Sequence, residues 1–115
     1  MSNATLVLVS CLSENAETMA STIVTEGLAA CVSIVPGLLS IYRWQGELHK
    51  DHEVLLLIKT NKAQWQALER RIKELHSYEV PEIIAIPIEL GHAPYLHWLN
   101  LQLEGNRALS GERAP

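Results

Sequence analysis

The sequence predicts an α+β fold in which antiparallel strands are covered by helices, with element order β-α-β-β-α-β-α. Three observations predict it. Strand-length runs rich in leucine and β-branched residues (TLVLVS, CVSIV, EVLLLIKT, EIIAI) are separated by two stretches whose apolar residues recur at helical spacing. The first six elements follow the split βαβ arrangement of a ferredoxin-like sandwich, to which this chain adds a C-terminal helix and a long hairpin between the second and third strands. Finally, LVLV, VLLLI and IIAI are apolar at successive positions rather than alternating, so both faces of the sheet should be buried. Two helices cover only one face, so oligomerisation is expected from the strands alone.

Each element has its own justification. Thr5 to Ser10 is the first strand. Ser13, Glu14 and Asn15 offer a helix start, with Glu14 and Glu17 favourable near the N-terminal dipole. Ala16, Met19, Ala20, Ile23, Val24 and Leu28 then mark one apolar face, and Gly27 suits a left-handed cap. In CVSIVPGLLSIYRW the alternation is interrupted at Pro36-Gly37, which implies an edge strand or a bulge because proline lacks an N–H for the ladder. Gln45-Gly46 reads as a turn and Glu53 to Thr60 as the returning strand, with the polar ELHKDHE projecting between them. Asn61 and Gln64 resemble a capping pair. Trp65, Leu68, Ile72 and Leu75 give the inner face of a second helix, opposite Glu69, Arg70, Lys73 and Glu74. Pro81 bars helix and Pro87 signals an edge in the strand from Ile83 to Ile88. Gly91 to Pro94 break the chain before a third helix carrying Tyr95, Leu96, Trp98, Leu99 and Leu103. The whole reads as a single domain over 1–115, with its core at about 5–103 and a mobile tail expected over 104–115.

The 115 residues are 48% hydrophobic and 19% charged, a globular profile. The net charge of −4 and scattered basic residues argue against a nucleic-acid partner, whose affinity rests on phosphate neutralisation. No window approaches the roughly 18 to 20 apolar residues of a membrane span, and the apolar run after MSNAT lacks the basic flank of a signal peptide. Two cysteines, Cys11 and Cys31, are too few for a disulfide framework. A cytoplasmic protein with reduced thiols is expected.

The stretch HSYEVPEII, from His76 to Ile84, concentrates polar chemistry at a helix-to-strand joint. His76, Tyr78, Glu79 and Glu82 offer an acid, a base and a phenol, with Lys59 at the end of the preceding strand. Catalysis would need these groups within hydrogen-bond reach of a substrate proton. The sequence has no Gly-rich phosphate loop, no H-E-x-x-H and no nucleophile elbow, so a non-enzymatic role is expected. His49 and His52, with Asp51 and Glu53, form a polar group able to pick up Zn or Cu weakly, although a solvated loop explains them as well. His97, between Leu96 and Trp98, is expected to be exposed.

Taken together, GLAACVSIVPGLLSIYRWQGEL, EVLLLIKT, ELHSYEVPEIIAIPIELG and YLHWL resemble the CutA family of divalent-cation-tolerance proteins, over about residues 5 to 103. The block "AACV…PG…SIY.W.G" followed by "H.Y.VPEI" is specific in both content and separation. The resemblance implies a tight homotrimer with an architecture similar to the PII signalling proteins, a role in tolerance of copper and other divalent metals, and no attached catalytic activity. It also implies a copper site at Cys11 and His76, thiolate and imidazole being a suitable pair for Cu(I) or Zn; the family's other histidine position is Leu75 here. By the same resemblance Pro36, Gly37, Tyr42, Trp44, Lys59, Tyr78, Pro81 and Glu82 converge with His76 at the clefts between subunits. Trp44, where one chain has little core left to cover it, is expected to insert into a neighbouring subunit. The expected function is thus that of a non-enzymatic CutA-like trimer in metal tolerance with weak copper affinity. The alternative is a PII-like sensor holding a small anionic ligand or a partner protein in its cleft, and an enzyme using His76 and Glu82 is the third reading.

Overall fold

The computed structural model describes residues 3–104, and the rest of the expected tail lies outside them. The element order is β1 (Ala4–Cys11), α1 (Ser13–Thr25), β2 (Cys31–Trp44), β3 (Glu47–Asn61), a 3-10 turn (Lys62–Gln64), α2 (Trp65–Leu75), β4 (Ile83–Pro87) and α3 (Ala93–Gln102). The strands form one antiparallel sheet in the order β2-β3-β1-β4, which is the ferredoxin-like topology.

The core lies between α1, α2 and one face of the sheet. Val7, Val9 and Cys11 of β1 and Val54, Leu56 and Ile58 of β3 meet Ala16, Met19 and Ile23 of α1 and Leu68 and Ile72 of α2. The period-2 and period-3.6 patterns converge on this layer. A smaller cluster of Ala30, Leu99 and Leu103, flanked by Tyr95 and Trp98, docks α3 where β3 leaves the sheet and β2 enters it.

The other face of the sheet is also apolar, and among the described residues no helix covers its centre, α3 reaching only the end near Asn61. The register places Leu8 beside Leu57 and Ile84, and Leu6 beside Lys59 and Ile86. Ile84 and Ile86 are 48% and 44% exposed. Two-sided apolar strands are therefore present, with one side open.

The two prolines fall on edges, as expected. β2 and β4 are the outer strands, so neither Pro36 nor Pro87 removes a hydrogen bond from a central ladder. The pairing jumps from Val35↔Leu55 to Leu38↔Glu53, a bulge that inserts one extra residue into β2. Gly37 sits there at φ 84°, which an L side chain adopts only with strain. Gln45 and Gly46 have φ 51° and 82°, the left-handed pair of a type I′ hairpin turn. At α1, Gly27 has φ 75° and the Leu28 N–H reaches the Ile23 carbonyl at 3.0 Å, closing a Schellman cap.

Several expectations need correction. ELHKDHE is not a projecting loop: β3 begins at Glu47, and His49 and His52 pair with Tyr42 and Leu39. Residues three apart on a strand face opposite sides, so the two histidines do not form a metal pair. The cap of α1 is Leu12, without a side-chain bond, and Ser13 is already helical. Val24 is exposed rather than part of the inner face. Asn61 does cap the 3-10 turn by accepting from the Gln64 N–H, but the Gln64 side chain bonds to the Leu103 carbonyl instead of reaching back. The second helix stops at Leu75, well before Pro81.

Candidate functional site

His76 is the C-cap of α2 and is extended, its own N–H closing the last turn on the Ile72 carbonyl at 2.8 Å. Leaving the helix there turns the ring inward, where only 8% of the residue remains exposed. Its Nε2 lies 2.8 Å from the Ser10 carbonyl oxygen, and its Nδ1 accepts the Tyr78 N–H at 3.1 Å. A carbonyl only accepts, so Nε2 carries the proton and the ring is the neutral tautomer. The ring also lies against that of Tyr78, with centroids 4.6 Å apart. The Ser77 hydroxyl accepts from the Asn15 side-chain amide at 3.0 Å, which ties the joint to α1.

Tyr78 carries the chain of contacts onward. Its hydroxyl donates to Glu53 at 2.6 Å. Glu53 is only 6% exposed and sits at the head of the apolar run of β3, on the open face with Leu55, Leu57 and Lys59. Burial, then the bond to Glu53, pushes the Tyr78 phenol well above its ordinary range. Burial and the Glu53 charge likewise push the Cys11 thiol up.

These shifts set an alkaline limit on stability. Both groups hold their protons longer folded than unfolded, so above pH 9.0, where an unfolded thiol ionises, the folded chain binds more protons. Stability contributed this way is present below that pH and is lost as pH rises through the folded values. The urea midpoint should fall between pH 8.5 and about 11; a flat profile there would contradict this account.

A copper ion at Cys11 and His76 fits this geometry poorly. Both ring nitrogens of His76 are engaged, Cys11 is fully buried in the helix-side core and held protonated, and Leu75 has no donor. Metal ligation needs a free imidazole lone pair and a thiolate. Among the described residues no group of three His, Cys, Asp or Glu side chains converges as a metal site.

The residues attributed to the cleft separate into two sets. Tyr42, Trp44, Tyr78 and Glu82 line one cavity of about 580 Å3, together with Ser10, Ser40, Ile41, Glu53, Glu79 and Val80. Pro36, Gly37, Lys59 and Pro81 are not in its wall. Pro36 and Gly37 make the bulge, and the Lys59 ammonium donates to the Ser33 hydroxyl at 2.6 Å. Trp44 is 40% exposed and faces the cavity of its own chain. Tyr42 stacks on His49 with centroids 5.4 Å apart, and its hydroxyl donates to Asp51. Among the described residues the wall carries three carboxylates and no Lys, Arg or His, a lining that favours a cation over an anion within one chain. Glu53 and Glu79 were absent from the expected cleft. A glutamate at the start of EVLLLIK, in phase with the open-face leucines, was the available signal for Glu53.

Residues 5–102 match the family model described as CutA1 divalent ion tolerance protein. The chain is 55% identical over 95 residues to the divalent-cation tolerance protein CutA of Thermus thermophilus, covering 82% of this chain and 92% of that protein. Among solved structures, CutA from Xylella fastidiosa superposes with TM-score 0.87 at 39% identity, over 90% of this chain and 100% of that one. CutA1 from Oryza sativa gives TM-score 0.85 at 42% identity, over 89% and 94% of the two chains. With the family model spanning nearly the whole folded region and the same ferredoxin-like topology in its relatives, the chain belongs to the CutA1 family of divalent-ion tolerance proteins.

Proposed function

We propose that the protein acts in divalent-cation tolerance as a cytoplasmic, non-catalytic homotrimer that works through assembly and a ligand-holding cleft rather than through a resident copper ion at Cys11 and His76. The uncovered sheet face carries this reading. Leu6, Leu8, Leu55, Leu57, Ile84 and Ile86 form an apolar layer that no helix among the described residues covers, and a patch of that kind is stable in water when another copy covers it. The hairpin arm adds a second apolar surface, with Leu39, Ile41 and Leu48 at 52%, 58% and 70% exposure. By alternation Leu39 and Leu48 lie on the side of the arm opposite Tyr42 and Trp44, and they supply its grip on a neighbouring subunit. Both cysteines are free, which favours a reducing compartment. No helix among the described residues is long and apolar enough to cross a membrane.

The test has a cellular and a molecular arm. Deleting the gene from its host should lower growth under excess copper or zinc, restored by the wild type but not by a variant that fails to assemble. Unimpaired growth of the deletion strain would overturn the tolerance role. In calorimetry, copper titrated into the wild type and Cys11→Ser should give the same heats. Stoichiometric uptake lost in Cys11→Ser would restore the thiol site and overturn that part of the reading.

A further inference from the structure

The cavity between the hairpin arm and the 78–82 joint has a chemistry that neither assembly nor metal tolerance uses. Its floor is Glu53, buried, aimed into the cavity, and bonded through its side chain to a neutral phenol rather than to a cation. Glu79 and Glu82, both exposed, add carboxylates at the rim, and Tyr42, Trp44 and Tyr78 supply aromatic walls. A buried carboxylate without a cationic partner is unusual, because removing the charge from water is compensated only by pairing. Aromatic faces present their negative quadrupole to a positive charge.

Size and spacing narrow the ligand further. The volume of about 580 Å3 falls in the range that encloses a small organic molecule. A bare metal ion would leave it unfilled, and the carboxylates do not converge as a metal site among the described residues. The combination of dispersed negative charge, aromatic walls and one deep carboxylate matches a molecule with a positive head and an apolar body.

We propose that this cavity is a binding site for a small organic cation, an ammonium compound with an apolar body, whose charged nitrogen is held by Glu53 and the rim glutamates while its body stacks against Trp44 and the two tyrosines. Ser10 and Ser40 are placed to accept its remaining N–H groups. The inference rests on the ligand-cleft part of the proposed function and not on copper binding; every group named belongs to one chain, and because Ser10 and Glu53 border the sheet face that another copy would cover, it requires the cavity to stay open in the assembly.

The test uses the full chain, with its assembly state read by light scattering in the same samples, so that a failure of assembly and a failure of the cavity are seen separately. Phenethylamine is titrated by calorimetry against 3-phenylpropionate, which has a similar apolar body and the opposite charge. Saturable binding of the amine is expected, with none of the carboxylate. The rim variant Glu79→Gln/Glu82→Gln changes only exposed side chains and should still fold; it should weaken the amine about tenfold, the equivalent of 1.4 kcal/mol. Trp44→Ala should weaken it roughly 2- to 30-fold. Binding should weaken further as salt rises from 50 to 500 mM. The proposal is overturned by any of three results: equal or tighter binding of the carboxylate, amine affinity unchanged in the rim variant, or displacement of the amine by an equimolar amount of zinc, which would assign the site to a metal. Absence of saturable amine binding at millimolar concentration would overturn it as well.

Discussion

Ile84→Glu should abolish the assembled state. Ile84 lies beside Leu8, which in turn lies beside Leu57, so it borders the apolar layer at the centre of the open sheet face. It is 48% exposed in the single chain, and a covering copy would bury the rest. Glutamate forfeits about 1.5 to 3 kcal/mol of apolar burial per subunit and places an unpaired charge in the interface, which adds several kcal/mol more. The penalty recurs in every copy of a symmetric assembly. Light scattering should show loss of the proposed trimer, with a melting temperature that is lower and no longer rises with protein concentration as the proposal expects of the wild type. Leu90→Glu, at a residue 87% exposed in a loop, should leave mass and melt unchanged. A trimeric Ile84→Glu with a wild-type melt would show that the sheet face is not the interface.

His76→Ala should be the most destabilising change at the helix-to-strand joint. The imidazole serves as a two-sided bridge, donating to the Ser10 carbonyl and accepting from the Tyr78 N–H. Alanine strands both backbone groups in a buried place, at about 1 to 3 kcal/mol each, and removes the ring that packs on Tyr78. A loss of about 2 to 5 kcal/mol is expected in urea unfolding. The damage should extend to the cavity, because His76 positions Tyr78 and Tyr78 holds Glu53. Amine affinity should fall even where the variant remains folded. A stability change under 1 kcal/mol would mean that water replaces the ring without penalty and that the bridge is not what holds the joint.

Much of the fold was legible because the sequence states it locally. The inner faces of α1 (Val24 apart) and α2, the left-handed cap at Gly27, a turn at Gln45-Gly46 and the edge placement of Pro36 and Pro87 all follow from side-chain period and backbone restriction. The two-sided apolar strands by themselves announced an uncovered sheet face, since two helices cannot cover both sides. His49 and His52 were less legible, because a polar run with two histidines reads as loop, whereas pairing with Leu38 through Trp44 carries it as strand. Backbone hydrogen bonds from a neighbouring strand overrode local composition.

The candidate site divides along the same line. By itself the sequence determined which residue types were available: a histidine, a tyrosine and glutamates around Val80-Pro81, aromatics on the long hairpin, and a broken alternation at Pro36-Gly37. Only the tertiary structure decided which of them meet. His76 reaches Ser10 across 66 positions and Tyr78 reaches Glu53 across 25, separations at which neither spacing nor propensity carries information. The extra residue in β2 at the bulge decided the rest. Because side chains alternate along a strand, one inserted residue exchanges its two faces, and the pairing that resumes at Leu38↔Glu53 puts Tyr42 and Trp44, rather than Leu39 and Arg43, on the side of Glu53. The same packing withdrew His76 from metal chemistry by occupying both of its nitrogens, since a ring that closes a backbone bridge has no lone pair left to give.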